Sequence, residues 1–520
     1  IHFPASPEEL TAARERLKFD ELFTLELGVA FRKHRLEATE TGIGHRPSGD
    51  LLDRFTASLP FERTAAQTRA IGDVAEAMAR PRPMNVLLQG DVGSGKTLVA
   101  VHAALVAIAS GHQAAIMAPT EVLAGQHLRS VEALLEPIGA RRFLDATPVA
   151  ATAQASLLEE PAQITSASLT YAMLTASVTG RDRERVLAGV AEGSVDLVVG
   201  THALVQEAVA FADLSLAVID EQHRFGVHQR MALKGKGASP DVLIMTATPI
   251  PRTLALTYYG DLDVVVLDEM PKGRQPIETR VARTPPERRQ AYDLVRAEVG
   301  QGRQAFVVCA AIDEANKTEV RAAETEATRL ASDVFPDLSV ELLHGRMRPA
   351  EKERRMEAFR SGEHHLLIST TVIEVGVDVR NATVMLVENA ERFGLAQLHQ
   401  LRGRIGRGTH RSYCILFDES KEDNEEARAR LDAMVRTTDG FELADEDLRL
   451  RGEGTLFDVR QSGMPDLRLA RLAEDLALVR RARERAFAVI ADDPDLVREP
   501  SLMHELRSRF ARSIEWLFAS

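Results

Sequence analysis

Asn85-Val86-Leu87-Leu88-Gln89-Gly90-Asp91-Val92-Gly93-Ser94-Gly95-Lys96-Thr97 joins an apolar run to a G-x-x-x-x-G-K-T loop, and the helix formers Leu98 to Ala109 follow at once. Strand, glycine loop and helix in this order make a cradle for a polyphosphate. Across Gly90, Asp91, Val92, Gly93, Ser94 and Gly95 the backbone N–H groups curl around the anion, and the helix N-terminus adds its partial positive charge. Lys96 then reaches the β and γ oxygens of ATP, and the Thr97 hydroxyl holds Mg²⁺.

Around this loop, apolar runs without alternation recur at 114–118, 196–199, 214–219 and 242–245. That pattern suits parallel strands covered on both faces, so the first half reads as a doubly wound α/β lobe. Ligands in such sheets gather at the carboxyl ends of the strands. The 214–219 run ends in Asp220-Glu221, where Asp220 is suited to holding Mg²⁺ through water and Glu221 to polarising the water that attacks phosphorus. Thr246-Ala247-Thr248-Pro249 ends the next run, with Thr246 and Thr248 placed to couple the nucleotide site to a bound strand. The segment 141–171, rich in Ala, Thr, Ser, Pro and Gln, breaks the rhythm and is expected to be an insertion or loop.

After the Pro/Gly hinge at 271–276 the alternation resumes, with strands expected at 305–309, 340–343, 365–368, 384–387 and 412–417 and helices at 314–330 and 349–360. This second lobe repeats the architecture without the phosphate loop. Its stretch Ser369 to Asp378 offers Thr370 and Thr371 to a phosphate backbone and Gly376 and Asp378 to a ribose. Gln400-Leu401-Arg402-Gly403-Arg404-Ile405-Gly406-Arg407-Gly408 sets Arg404 and Arg407 on one face if helical. Two guanidiniums brought to another lobe's phosphate site are what an arginine finger requires.

At 520 residues the chain exceeds a single core, and 45% hydrophobic with 27% charged residues marks an ordinary globular composition. The net charge of −13 argues against coating nucleic acid over the whole surface, though not against a local basic groove. No apolar run reaches the roughly 18 residues of a membrane span. Cys309 and Cys414 both lie in apolar runs and read as buried thiols in a reducing compartment. Ser6-Pro7-Glu8-Glu9 opens a helix toward Arg35, and Ile1-His2-Phe3-Pro4 reads as an internal cut.

The ordered set GDVGSGKT, APTEVLAGQH, GTHAL, DEQH, TATP, STTVIEVGVDV and QLRGRIGRG resembles the superfamily 2 helicases and translocases with two RecA-like lobes. LPFERTAAQ, DEQHRFGVHQR, MTATPIPRTLA and DGFELADEDLRLRGEGTLFDVRQSG narrow the resemblance to the RecG family of ATP-dependent branched-DNA helicases, over nearly the whole chain. The resemblance implies a nucleotide role for Gln67 at the adenine and for Gly376, Asp378 and Gln400, and a DNA role for Thr120, Thr201, His202, Thr246, Thr248, Thr370 and Thr371. It also implies a C-terminal translocation hairpin and loop carrying Arg449, Arg451, Arg460 and Gln461. Glu453 and Asp458 depart from the family's usual Pro and Gly, and extra acids there weaken phosphate contact.

The implied division is a helical linker from a missing upstream wedge domain at 1–48, an ATP-binding lobe at 49–270, a second lobe at 271–430, and the hairpin with C-terminal helices at 431–520. The helices at 467–491 and 502–510 are expected to pack on the second lobe. The implied activity is translocation on duplex DNA with replication fork reversal and Holliday junction branch migration. Implied partners are replication forks, Holliday junctions and duplex arms, with single-stranded-DNA-binding protein as a further one, for a cytoplasmic, nucleoid-associated monomer. Two other readings stand beside it: a transcription-repair coupling translocase, which shares the C-terminal motif, and a nucleotide-gated DNA-binding scaffold. Gln222-His223 after the acidic pair favours the first reading, and Glu221 with Arg407 speaks against the scaffold.

Overall fold

The first helix, α1 (Pro7–Thr39), begins where the Ser6 hydroxyl accepts the Glu9 N–H at 3.3 Å, the cap that the Ser-Pro-Glu-Glu pattern predicts. The computed structural model describes residues 3–39, 41–145, 169–220, 236–237, 239–246, 262–271, 275–309, 324–344, 347–369, 379–420, 424–451, 467–472 and 474–510.

Helices α2 (Asp50–Ser58) and α3 (Ala65–Met78) lead into β1 (Asn85–Gly90). Then come α4 (Lys96–Ala109), β2 (Gln113–Met117), α5 (Glu121–Leu135), β3 (Arg141–Arg142), β4 (Thr170–Leu174), α6 (Gly180–Glu192), β5 (Leu197–Gly200), β6 (Leu214–Asp220), β7 (Asp241–Thr246) and β8 (Asp263–Leu267). The eight strands form one sheet in the order β3-β4-β5-β2-β6-β7-β1-β8, and every described pairing in it is parallel. Val86, Leu88, Ala114 and Ile116 face α2 to α5, while Leu87, Ala115, Met117 and Ile244 face α6. Strands apolar on both sides are buried on both sides, which explains their unalternating sequence.

The expected insertion at 141–171 is corrected at both described ends. Arg141–Arg142 pairs with Thr170–Tyr171 as β3 on β4, and β4 pairs with β5. Asp196 fixes the register by accepting the Thr170 N–H at 2.7 Å, a local polar lock that composition does not reveal. Residues 146–168 lie outside the described residues.

The second lobe contains β9 (Ile277–Ala282), α7 (Pro285–Val299), β10 (Gln304–Val308), β11 (Val340–Leu343), α8 (Pro349–Arg360), β12 (Leu366–Ser369), β13 (Ala382–Val387), α9 (Leu395–Arg402) and β14 (Ser412–Phe417). Its six strands run in the order β11-β12-β10-β13-β14-β9, again parallel in every described pairing. The helix expected at 314–330 is described only from 324, where it continues into a π-turn at Leu330–Val334. Cys309 and Cys414 are buried free thiols, and burial pushes Cys414 up to about 12, so it stays protonated and inert. Among the described residues no helix is long and apolar enough to cross a membrane.

Helices α10 (Glu425–Arg436) and α11 (Gly440–Arg451) form a hairpin, capped by Asn424 on the Ala427 N–H and by Asp439 on the Phe441 N–H. Helices α12 (Leu476–Asp492) and α13 (Pro500–Arg509) follow. Among the described residues these last two pack chiefly on α1 rather than on the second lobe, which corrects the sequence expectation. Leu25, Leu27 and Phe31 of α1 meet Ala486, Ile490, Leu506 and Phe510 in one apolar cluster. The acids of α1 complete the match: Glu26 pairs with Arg483 at 3.0 Å, and Glu21 accepts the N–H groups of Arg468, Leu469 and Ala470. An Arg- and Ala-rich helix finds its partner in a Leu-rich one far away in sequence.

Candidate nucleotide and DNA site

β1 ends at Gly90, and the chain turns through Gly93 and Gly95 at φ of +85° and +92°, where a side chain would be strained. At Gly90 a Cβ would lie 2.5 Å from Ser94 Oγ and 2.9 Å from Leu267 Cβ. The glycines therefore serve both the turn and its packing. Lys96 opens α4 and its ammonium donates to the Gly90 and Asp91 carbonyls at 2.7 and 2.9 Å, folded over the cradle. Thr97 is half-buried on the same first turn.

Gln67 is placed against this loop. Its amide oxygen accepts the Thr64 N–H at 3.1 Å and its nitrogen donates to the Ser94 carbonyl at 2.9 Å. The amide thus ties the phosphate loop, through Ser94, to the N-cap of α3, through Thr64.

Asp220 ends β6, with Thr246 at the end of the neighbouring β7 and opposite Gln89 of β1. Asp220 Oδ2 lies 2.7 Å from Nε2 of His127, a residue of α5. Glu221 and Thr248 lie outside the described residues. Thr120 caps α5 by accepting the Leu123 N–H at 3.3 Å, and the buried Thr201 caps the short helix His202–Val205 in the same way, leaving His202 exposed. Both threonines follow the carboxyl ends of strands, β2 and β5, on the edge that carries the phosphate loop.

The second lobe reaches the loop through α9. His399 Nε2 bonds Asp91 Oδ1 at 2.5 Å, and a Cβ at Gly403 would lie 2.8 Å from Val92. His399 Nδ1 faces Arg402 Nη2 at 2.9 Å. A guanidinium only donates, so Nδ1 accepts and Nε2 carries the proton given to Asp91. Burial pushes the Asp91 carboxyl up, but His399, the Val92 N–H and the Lys96 charge more than offset this and hold it below its ordinary value. Arg402 is buried and donates to the Met434 and Thr437 carbonyls at 2.8 and 2.9 Å. Helix α9 packs on both α10 and α11, so one short helix touches both the phosphate loop, through His399, and the hairpin, through Arg402.

Arg404 and Arg407 do not share a helical face. Helix α9 ends at Arg402 with Gly403 as its cap, and Gly406 turns the chain at φ +70°. A turn, not helical spacing, sets their relative positions, and Arg407 Nε donates to the Gly403 carbonyl at 3.2 Å. Gln400 lies half-buried on α9. Arg449 is exposed on α11, 3.4 Å from Glu446. Arg451 ends α11, its side chain outside the described set, as are Thr370, Thr371, Gly376, Asp378, Glu453, Asp458, Arg460 and Gln461.

His127 and Arg402 lie within the quoted motifs APTEVLAGQH and QLRGRIGRG, and His399 directly before the second, but none of the three was given a role. One signal was present: Leu395, Leu398, His399 and Arg402 follow the i, i+3, i+4, i+7 rule of a buried stripe. A histidine and an arginine on such a stripe must have polar partners.

A family model for the DEAD/DEAH box helicases matches residues 64–257, and one for the helicase conserved C-terminal domain matches 288–409. Together with two parallel sheets and a phosphate loop faced by an arginine-bearing turn, these define a two-lobed helicase core. A third model, ATP-dependent DNA helicase RecG, domain 3, C-terminal, matches residues 437–520. The ATP-dependent DNA helicase RecG of Bacillus subtilis is 45% identical, the match covering 95% of this chain and 68% of that protein. That of Synechocystis sp. is 48% identical over 98% of this chain and 58% of its own length. A solved structure, RecG bound to a three-way DNA junction, aligns at 40% identity with a TM-score of 0.70, over 93% of this chain and 58% of that one. The chain belongs to the RecG family. It spans about three-fifths of the length of the Synechocystis relative.

Proposed function

We propose that the chain is an ATP-driven motor that translocates on duplex DNA and acts on branched DNA, as the names of its relatives state for them. The observation that carries this is the contact of α9 on the phosphate loop, Asp91 to His399, made by the helix that also holds the hairpin through Arg402.

ATP binding would draw the Lys96 ammonium from the Gly90 and Asp91 carbonyls to the β and γ oxygens. Gln67 would keep the loop in shape, and its position beside the loop is compatible with contact to adenine. Thr97, on the helix that follows β1, and Asp220, at the end of β6, are hard oxygen donors at the carboxyl edge of one sheet, in which only β7 separates β1 from β6. They fit Mg²⁺ bound through water, and the ion would neutralise the phosphate charge as the γ-phosphoryl leaves. Glu221 would orient the attacking water, and Arg404 and Arg407 would meet the charge that develops on phosphorus. Loss of γ-phosphate would then alter the α9 contact and shift α10 and α11, with Arg449 and Arg451 on the DNA side. Thr120 and Thr201 at the helix starts would touch the phosphate backbone. Fork reversal and branch migration follow from such a motor working at a junction, as a nucleoid-associated monomer alongside single-stranded-DNA-binding protein.

The test is the ATPase rate against forked, four-way, linear duplex and single-stranded DNA. At least tenfold stimulation by forked or duplex DNA is expected. A rate indifferent to all four DNAs would overturn the proposal.

A further inference from the structure

Helix α5 carries an imidazole that the phosphate-loop chemistry does not account for. His127 follows the Thr120 cap by two turns and lies on the buried stripe with Leu123, Ala124, Leu128 and Val131. Its Nε2 stands 2.7 Å from Asp220 Oδ2, with the two side chains 10% and 11% exposed. No apolar packing requirement places a histidine there, since the stripe is otherwise Leu, Ala and Val. Its contact is with the Asp220 carboxylate at the end of β6.

We infer that His127 is a positioning residue for the metal site: it donates to Asp220 Oδ2 and fixes the orientation in which that carboxylate meets the hydrated cation. An ionised carboxylate only accepts, so Nε2 carries the proton in this bond. An aspartate at a strand end has several rotamers open to it, and its terminal torsion is broad. Magnesium tolerates little deviation from octahedral geometry and keeps its waters, so a carboxylate that wanders loses water-mediated contact. A donor fixed on a packed helix removes that freedom before the ion arrives, which is the general service of groups behind metal ligands. The imidazole is rigid and its helix is anchored by four buried neighbours, so the constraint is stiff. The inference rests on the reading of Asp220 as the residue that holds Mg²⁺.

The experiment is a Mg²⁺ titration of fluorescent mant-ADP binding to the full chain, with no turnover involved, on wild type, His127→Phe, His127→Gln and Asp220→Asn. In His127→Phe the Mg²⁺ concentration for half-maximal effect should rise about tenfold, the scale for losing a group behind a metal ligand. Binding of mant-ADP in excess EDTA should stay within twofold of wild type. His127→Gln, whose amide nitrogen reaches near the same point, should recover most of the shift. A His127→Phe curve within twofold of wild type overturns the inference, as does an equal loss of binding in EDTA, which would mark a packing role. If Asp220→Asn shifts the Mg²⁺ curve and His127→Phe does not, only this inference falls. If Asp220→Asn leaves the curve unmoved, the metal-ligand reading itself falls.

Discussion

The two lobes have the same parallel plan and use their cations in opposite ways. In the first, Lys96 sits on carbonyls of its own loop, partners it can exchange for phosphate oxygens without disturbing the core. In the second, Arg402 is buried and committed to Met434, Thr437 and His399, partners it cannot leave without orphaning them. One lobe therefore keeps a mobile charge for the ligand, and the other keeps a fixed charge that joins structural elements. Sequence proximity follows the same split. The first lobe's cradle is eight consecutive residues, while the second lobe's contribution exists only where α9 touches elements from three other parts of the chain.

The largest effect should come from the exchangeable cation. Lys96→Ala is expected to lower ATP turnover at least about a thousandfold with an unchanged circular dichroism spectrum. Turnover near wild type would deny the first lobe its role. Arg407→Ala should cut turnover by roughly three orders of magnitude while mant-ADP binds within a fewfold of wild type. A drop of less than tenfold would leave the second lobe without a finger at this position.

Arg402→Met tests the opposite half of the contrast. It should destabilise the fold by about 2–4 kcal/mol in urea titration, since the buried Met434 carbonyl and the part-buried Thr437 carbonyl lose their donor. A loss below 0.5 kcal/mol on the scale of ordinary surface changes would show that the arginine is not the structural tie described.

The smallest effects concern pH, and their signs differ between the lobes. Burial, with the Arg63 charge adding to it, holds His102 on α4 down to about 4. Below pH 6.5 the unfolded chain takes up a proton that the folded first lobe refuses, so stability falls toward pH 4, by about 2 kcal/mol at pH 5. Burial pushes Glu388 of the second lobe up to about 7, against the pull of Arg288. Its folded form keeps a proton that the unfolded chain has lost above pH 4.5, so its contribution is full in acid and disappears as pH rises through 7. Thermal melts at pH 5 and pH 7.5 should show His102→Gln sparing the first lobe its acid loss, and Glu388→Gln abolishing the alkaline loss in the second. The same pH response in both variants and wild type would erase the contrast.

Much of this was legible in the sequence because the parallel sheet writes itself as unbroken apolar runs. The runs at 214–219, 242–245, 340–343 and 412–417 became strands with shifts of a residue or less at either end. β3, β4, β8 and β9 were missed: β3, β8 and β9 are edge strands, β4 begins inside the stretch read as an insertion, and Glu278, Thr279 and Arg280 interrupt the apolar run of β9. Sequence spacing put Arg404 and Arg407 on a shared helical face, but Gly403 and Gly406 ended the helix first.

By itself the sequence determined the phosphate loop, because its function depends on local backbone freedom at glycines and on residues adjacent in the chain. It also determined the two-lobed plan and the family, through the order of the motifs. Only the tertiary structure decided that His399 meets Asp91, that His127 meets Asp220, and that α12 and α13 lie on α1. Each of those pairings joins residues far apart in the chain, and the energy of a buried polar or helix contact depends on a neighbour that local sequence does not name.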